Sequence, residues 1–250
     1  MEIRYYKEYS RFLNQDMEYK SYGVTGVPVL YIPCQDGRFY DFENFGMLDH
    51  LCGWIECGAI RVFAVDTVDA QSLSAGWKPE WERAVRQEAY FHYITEELAM
   101  RIFQICGEQG APVSDGLMAV GFSLGAYHAA NFYFRRPDLF TRAICCSGIY
   151  SLRELFGAYS DENVYNNSPI DFLRGMPADH PYIRKYNETR LAVCCGQGAW
   201  EHPMLENTRE LEAILREKKI YEWIDIWGMD VSHDWYWWKK QLDHILPNIL

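Results

Sequence analysis

No stretch of this chain approaches the roughly 20 consecutive apolar residues that a membrane-spanning helix requires. The N-terminal MEIRYYKEYS lacks the apolar segment of a secretory leader. No C-x-x-C pair and no H-E-x-x-H motif occurs, and the seven His are scattered without ligand spacing, so neither a metal nor any other cofactor is expected. Positive charge is scarce: 24 Lys and Arg against 35 Asp and Glu leave a net charge of −11, the reverse of the basic stripe a nucleic-acid surface needs. Internal repeats, low-complexity tracts and linkers are also missing, so residues 1–250 read as one domain. These absences predict a cytoplasmic protein without nucleic-acid or membrane partners, with a homo-oligomer left open.

Cysteine, by contrast, is plentiful. Eight Cys could form a disulfide framework, but Cys145-Cys146 and Cys194-Cys195 lie inside apolar strand patterns, where reduced thiols pack as small hydrophobes. Aromatics make up 16% of the chain and include nine Trp, some of which are expected to line a pocket.

Apolar runs recur with turn signals between them: 29–32, 60–65, 117–120, 143–146, 191–195 and 223–227. They are mostly continuous rather than alternating, as in strands buried on both faces of a parallel sheet. Helical patterns fall between them. Pro79–Cys106 places Phe91, Ile94, Leu98 and Ile102 on one face, and Leu124–Arg136, Pro203–Lys218 and Trp235–Leu246 are further helices. The alternation predicts an α/β fold with a mostly parallel, doubly wound sheet. Ile3–Tyr9 and Met17–Tyr22 flank a polar turn and predict an antiparallel N-terminal edge. Residues 150–187 are rich in turn residues and are expected to form an insertion over the mouth of the site.

One junction carries chemistry. The apolar run 117–120 leads into Gly121-Phe122-Ser123-Leu124-Gly125 and directly into a helix. Two glycines let such a turn bend sharply and expose the serine hydroxyl, beside the unpaired N–H groups of the helix start. The bare pattern arises by chance in roughly one chain of this length in ten; its position between strand and helix gives it weight. A serine nucleophile needs a base, and the base needs a carboxylate that fixes its tautomer. His233 follows the last strand, and Glu201 follows the preceding one, each where the order Ser, acid, His would put it. Glu201 could instead be an acid in the first turn of the helix at Pro203, with Asp230 or Asp225 as substitute acids. His128, His202 and His244 read as structural. Two oxyanion donors are expected: the Leu124 N–H and, from the loop after 29–32, the Gln35 N–H. Trp200 and Trp235 are candidate pocket residues, although packing beneath the last helix would explain the Trp cluster equally well.

Together these residues resemble the esterase D-like branch of the α/β-hydrolases, which includes S-formylglutathione hydrolases, feruloyl esterases and mycolyltransferases. Gly121–Gly125 looks like its G-x-S-x-G motif, Gln197-Gly198-Ala199-Trp200-Glu201 like its acid loop, and His233–Trp238 like its histidine with trailing aromatics. Residues 33–47, 134–140 and 227–238 are similar to an uncharacterised bacterial subgroup. The resemblance implies an α/β-hydrolase fold and a serine esterase acting on a small-molecule ester through an acyl-enzyme. The chain departs from the family with Leu124 for Met, Glu201 for Asp, and no His-Gly-Gly in the first oxyanion loop. Acyl transfer by the same triad and a noncatalytic binding module are the alternatives.

Overall fold

A computed structural model describes all residues, 1–250. Its strands are β1 (Ile3–Ser10), β2 (Gln15–Tyr22), β3 (Val27–Ile32), β4 (Ile60–Val65), β5 (Leu117–Phe122), β6 (Phe140–Cys146), β7 (Arg190–Cys195) and β8 (Trp223–Ile226). They form one sheet in the order β1-β2-β4-β3-β5-β6-β7-β8. The β1/β2 and β2/β4 pairs are antiparallel and every other pair is parallel. The fold expected from the alternation is therefore present, with the predicted hairpin as its antiparallel edge.

Successive residues of each parallel strand feed two cores, because side chains alternate across a sheet. Leu30, Phe63, Ala119, Cys145 and Val193 pack on one face, while Tyr31, Val62, Val120, Ile144 and Cys194 pack on the other. This two-sided burial is why the strands read as unbroken apolar runs.

Four helices pack on the first face, among them α3 (Glu80–His92) and α4 (Ala99–Glu108), joined by a wider π-helical turn at Tyr93–Leu98. The run 79–106 is thus continuous but contains a bulge, which widens the apolar face enough to bury Tyr90 and Tyr93 beside Phe91 and Ile94. α5 (Leu124–Arg135) and α10 (His202–Lys218) complete that layer. The second face is covered by α1 (Asp41–Asn44), α2 (Met47–Glu56) and α11 (Trp235–Ile249). Helices α1 and α2 were not anticipated, since they are short and meet at Gly46 with φ +67. No helix is long and apolar enough to cross a membrane.

Residues 150–187 form four short helices: α6 (Arg153–Phe156), α7 (Glu162–Asn166), α8 (Pro169–Gly175) and α9 (Pro181–Tyr186). Phe156 and Val164 pack in a small core with Leu124 and Tyr127 at the start of α5, and Ile170 and Leu173 enter the main core. The segment is therefore fastened to the helix that carries the serine turn. All eight cysteines are free thiols.

Candidate active site

Because β3 to β8 are parallel, the loops that follow them gather along one edge of the sheet. Ser123 stands at that edge between β5 and α5, with φ 56° and ψ −126°, a conformation that costs a non-glycine residue about 1–3 kcal/mol. Its N–H donates to the Cys146 carbonyl at 3.0 Å, and its own carbonyl accepts the Ala126 N–H at 3.0 Å. The flanking glycines are required by contact. A Cβ on Gly121 would lie 2.1 Å from the Gly125 carbonyl oxygen, and one on Gly125 would lie 2.5 Å from the Ile32 and Pro33 carbonyl oxygens. The end of β3 therefore presses directly on the serine turn.

His233 Nε2 lies 2.9 Å from Ser123 Oγ, and His233 Nδ1 lies 3.4 Å from Glu201 Oε2. The second contact is long for a charge-assisted bond, as is common without substrate bound. The loops that carry the two residues are joined through their backbones. Gly198 N–H donates to the Val231 carbonyl at 2.8 Å, Gln197 N–H to Gly228 at 3.1 Å, and His233 N–H to Ala199 at 3.0 Å.

Glu201 is fully buried. It immediately precedes α10, yet its side chain makes no capping bond to that helix. Instead Oε1 accepts the Ser147 hydroxyl at 2.6 Å, while the Cys195 thiol lies 3.5 Å from Oε2. Ser147 Oγ in turn accepts the Trp238 indole N–H at 3.0 Å. The alternative acids are engaged elsewhere: Asp225 accepts the Trp227 indole N–H at 2.8 Å, and Asp230 is exposed beside Gly228. Neither makes a bond to His233.

Sequence reasoning missed Ser147 as the hydrogen-bond partner of Glu201 and Trp238 as the donor to Ser147. Ser147 follows β6 as Ser123 follows β5, and it has the same φ of 56°. A polar residue at the carboxyl end of a central parallel strand was the signal available.

The N–H groups of Leu124 and Gln35 donate no hydrogen bond within the protein. The Gln35 side chain is tethered, its amide donating to Ser74 Oγ at 2.9 Å. Next to it the Cys34 thiol is pushed up to about 12 by burial and then by the nearby Asp41 and Asp69, so it remains protonated at neutral pH. Trp235 stacks on Phe45 at 4.6 Å and tilts against Phe122, the neighbour of Ser123. Trp238 crosses His233 edge to face at 4.8 Å. Trp200, with φ +66, is 84% exposed and packs beneath nothing. The Trp cluster thus divides into a buried (Trp238), a partly buried (Trp235) and an exposed member (Trp200).

The family model described as "Putative esterase" matches residues 10–249. The chain belongs to the Esterase family. It is a carboxylic ester hydrolase of that family, with an α/β-hydrolase fold. No curated protein matches it in sequence. Among solved structures it is similar to a ferulic acid esterase, with TM-score 0.73 and 15% identity over 99% of this esterase and 97% of that chain. It is likewise similar to an S-formylglutathione hydrolase from Agrobacterium tumefaciens, with TM-score 0.73 and 15% identity over 98% and 93%. Mycobacterium tuberculosis MPT51 gives TM-score 0.72 and 16% identity over 100% and 98%. At these identities the likeness is one of fold.

Proposed function

We propose that this esterase hydrolyses a small-molecule carboxylic ester through a Ser123–His233–Glu201 triad and an acyl-enzyme. The observation that carries the reading is the 2.9 Å contact of His233 Nε2 with Ser123 Oγ, with a buried carboxylate behind the other ring nitrogen. Ser123 Oγ attacks the ester carbonyl as His233 takes its proton. The tetrahedral intermediate expels the alcohol, which leaves with that proton, and a water activated by His233 then releases the acid. Glu201 keeps the ring proton on Nδ1 and offsets the charge His233 acquires. Ser147 and Trp238 hold Glu201 in place.

The N–H groups of Leu124 and Gln35 stabilise the oxyanion; both are free, and both belong to segments in contact at Gly125. Trp235 and Trp200 shape the substrate side, and residues 150–187 cover the mouth. A short or aromatic acyl group suits the wall made by Trp235, Phe45 and Phe122. The eight free thiols, five of them buried, favour a reducing compartment such as the cytoplasm.

The test is hydrolysis of p-nitrophenyl acetate, butyrate, octanoate and a feruloyl ester, together with fluorophosphonate labelling, in wild type and Ser123→Ala. Loss of both turnover and label in a folded variant is expected. Retained turnover refutes the triad.

A further inference from the structure

A second histidine–carboxylate pair lies on the far side of the serine turn and ends on the loop that carries Gln35. His128, on α5, and Asp69, in the loop after β4, are both fully buried, with Nε2 and Oδ1 2.8 Å apart. The Gln87 amide nitrogen faces the other ring nitrogen at 3.5 Å and donates to it, which leaves the ring proton on Nε2, directed at Asp69. Ser72 Oγ, which donates to the Val68 carbonyl at 3.0 Å, lies 3.4 Å from Gln87 Oε1, and the rings of Tyr90 and Phe132 close over the imidazole. Burying a carboxylate this deeply is costly unless its lone pairs are used. Its second oxygen has a use.

Asp69 Oδ2 accepts the Asp36 N–H at 3.3 Å. Asp36 is the third residue of a turn closed by Gly37 N–H to the Cys34 carbonyl at 2.9 Å, and it has φ +58 while Gln35 does not have a positive φ. A left-handed third residue is the mark of a type II turn, which favours Gly or Asn there; rotating the central peptide would give the commoner type I. The carboxylate therefore holds a peptide orientation that the local sequence disfavours. Asp69 is anchored from behind as well, since its own carbonyl accepts the N–H groups of Ser72 and Ser74.

We propose that Asp69, backed by His128 and Gln87, is a positioning residue that fixes the 34–37 turn so that the Gln35 N–H converges with the Leu124 N–H on the oxyanion. The proposal rests on the triad reading above. His128 belongs to the same helix as Leu124, so one buried pair couples both donors to a common frame.

The test measures kcat, KM and the inhibition constant of an aryl trifluoromethyl ketone, which adds to Ser123 and places its oxyanion between the donors. Rates are normalised to active sites titrated with a fluorophosphonate. Asp69→Ala is expected to lower kcat about 10²-fold and weaken the ketone by the same factor, the scale of one lost oxyanion donor, with KM within about threefold. Asp69→Asn has one amide oxygen for the two N–H groups that Asp69 accepts. With that oxygen on the Asp36 N–H its NH2 meets His128 Nε2, which moves the ring proton to Nδ1 and flips the Gln87 amide, so it should recover part of both losses.

Gln35→Pro deletes the proposed donor while suiting the second position of a type II turn, with Gln35→Ala as its baseline. In the Gln35→Pro background either Asp69 variant should have no further effect on kcat. Wild-type kcat and ketone affinity in Asp69→Ala, or effects that multiply with Gln35→Pro, would overturn the proposal. Should Asp69→Ala not fold, Asp69→Asn is read in the same cycle. A Ser123→Ala enzyme that still turns over would instead refute the triad reading beneath it.

Discussion

His233–Glu201 and His128–Asp69 flank the serine turn with the same chemistry in opposite settings. In the first pair the contact is 3.4 Å, the imidazole is 17% exposed, and its other nitrogen faces a hydroxyl. In the second the contact is 2.8 Å, both side chains are sealed, and the other nitrogen faces an amide. A base must trade its proton with substrate and water, so it needs an open face and a partner loose enough to follow its charge. A fastening must not titrate or move, so closure and a short bond serve it. On the proposed reading, a histidine beside a carboxylate acquires its role from what lies beyond the second nitrogen.

Variants of the two pairs should therefore fail differently. Ser123→Ala and His233→Ala are expected to lower kcat/KM by at least about 10⁴-fold with the urea midpoint unchanged; a His233→Ala enzyme near wild-type rate would erase the contrast. Glu201→Gln should reduce kcat roughly 10³-fold, because a buried amide permits the wrong tautomer; a loss below tenfold would transfer the role to another acid.

In the sealed pair, His128→Ala strands the Asp69 carboxylate and should cost about 3 kcal/mol of unfolding free energy, read from urea titration. An unchanged midpoint would mean that this pair fastens nothing. Ser147→Ala, which removes one donor to Glu201, is expected to reduce kcat about tenfold, or about 1.4 kcal/mol, with KM held; an equal rise in KM would mark a packing effect.

A pH-dependent effect lies at the opposite end of the sheet. Glu222, just before β8, accepts the Leu191 N–H at 2.9 Å and the Tyr133 hydroxyl at 2.5 Å, and burial pushes its carboxyl up to about 8. Between about pH 4.5 and 8 the folded chain keeps a proton that the unfolded chain releases. Stability should therefore fall as pH rises through that window, by at most about 1.4 kcal/mol per unit. Glu222→Gln should flatten the slope, as followed by Tm from pH 5 to 8, and an unaltered slope would place the titration elsewhere.

Much of this was legible in the sequence because local and global signals agreed. The runs 117–122 and 191–195 are continuously apolar since both faces are covered, and Ser123 and Glu201 each follow such a run, while His233 follows the partly buried edge strand β8. Contacts between loops were not legible. Nothing in Cys146-Ser147-Gly148 names Glu201 as a partner 54 residues on, and nothing in Val68-Asp69-Ala70 names the Asp36 amide. Helices α1 and α2 were missed because two short helices meeting at a glycine offer too few turns for a period. The bulge at Tyr93–Leu98 escaped because one added residue leaves the apolar face apolar.

Three left-handed residues that are not glycine, Ser123, Ser147 and Trp200, occur after β5, β6 and β7 in turn. Each holds its conformation against a local preference that glycine would not have. At Ser123 glycine would relieve that strain and delete the proposed nucleophile in one change, so the working edge of this sheet is also where descent without use would first erase it.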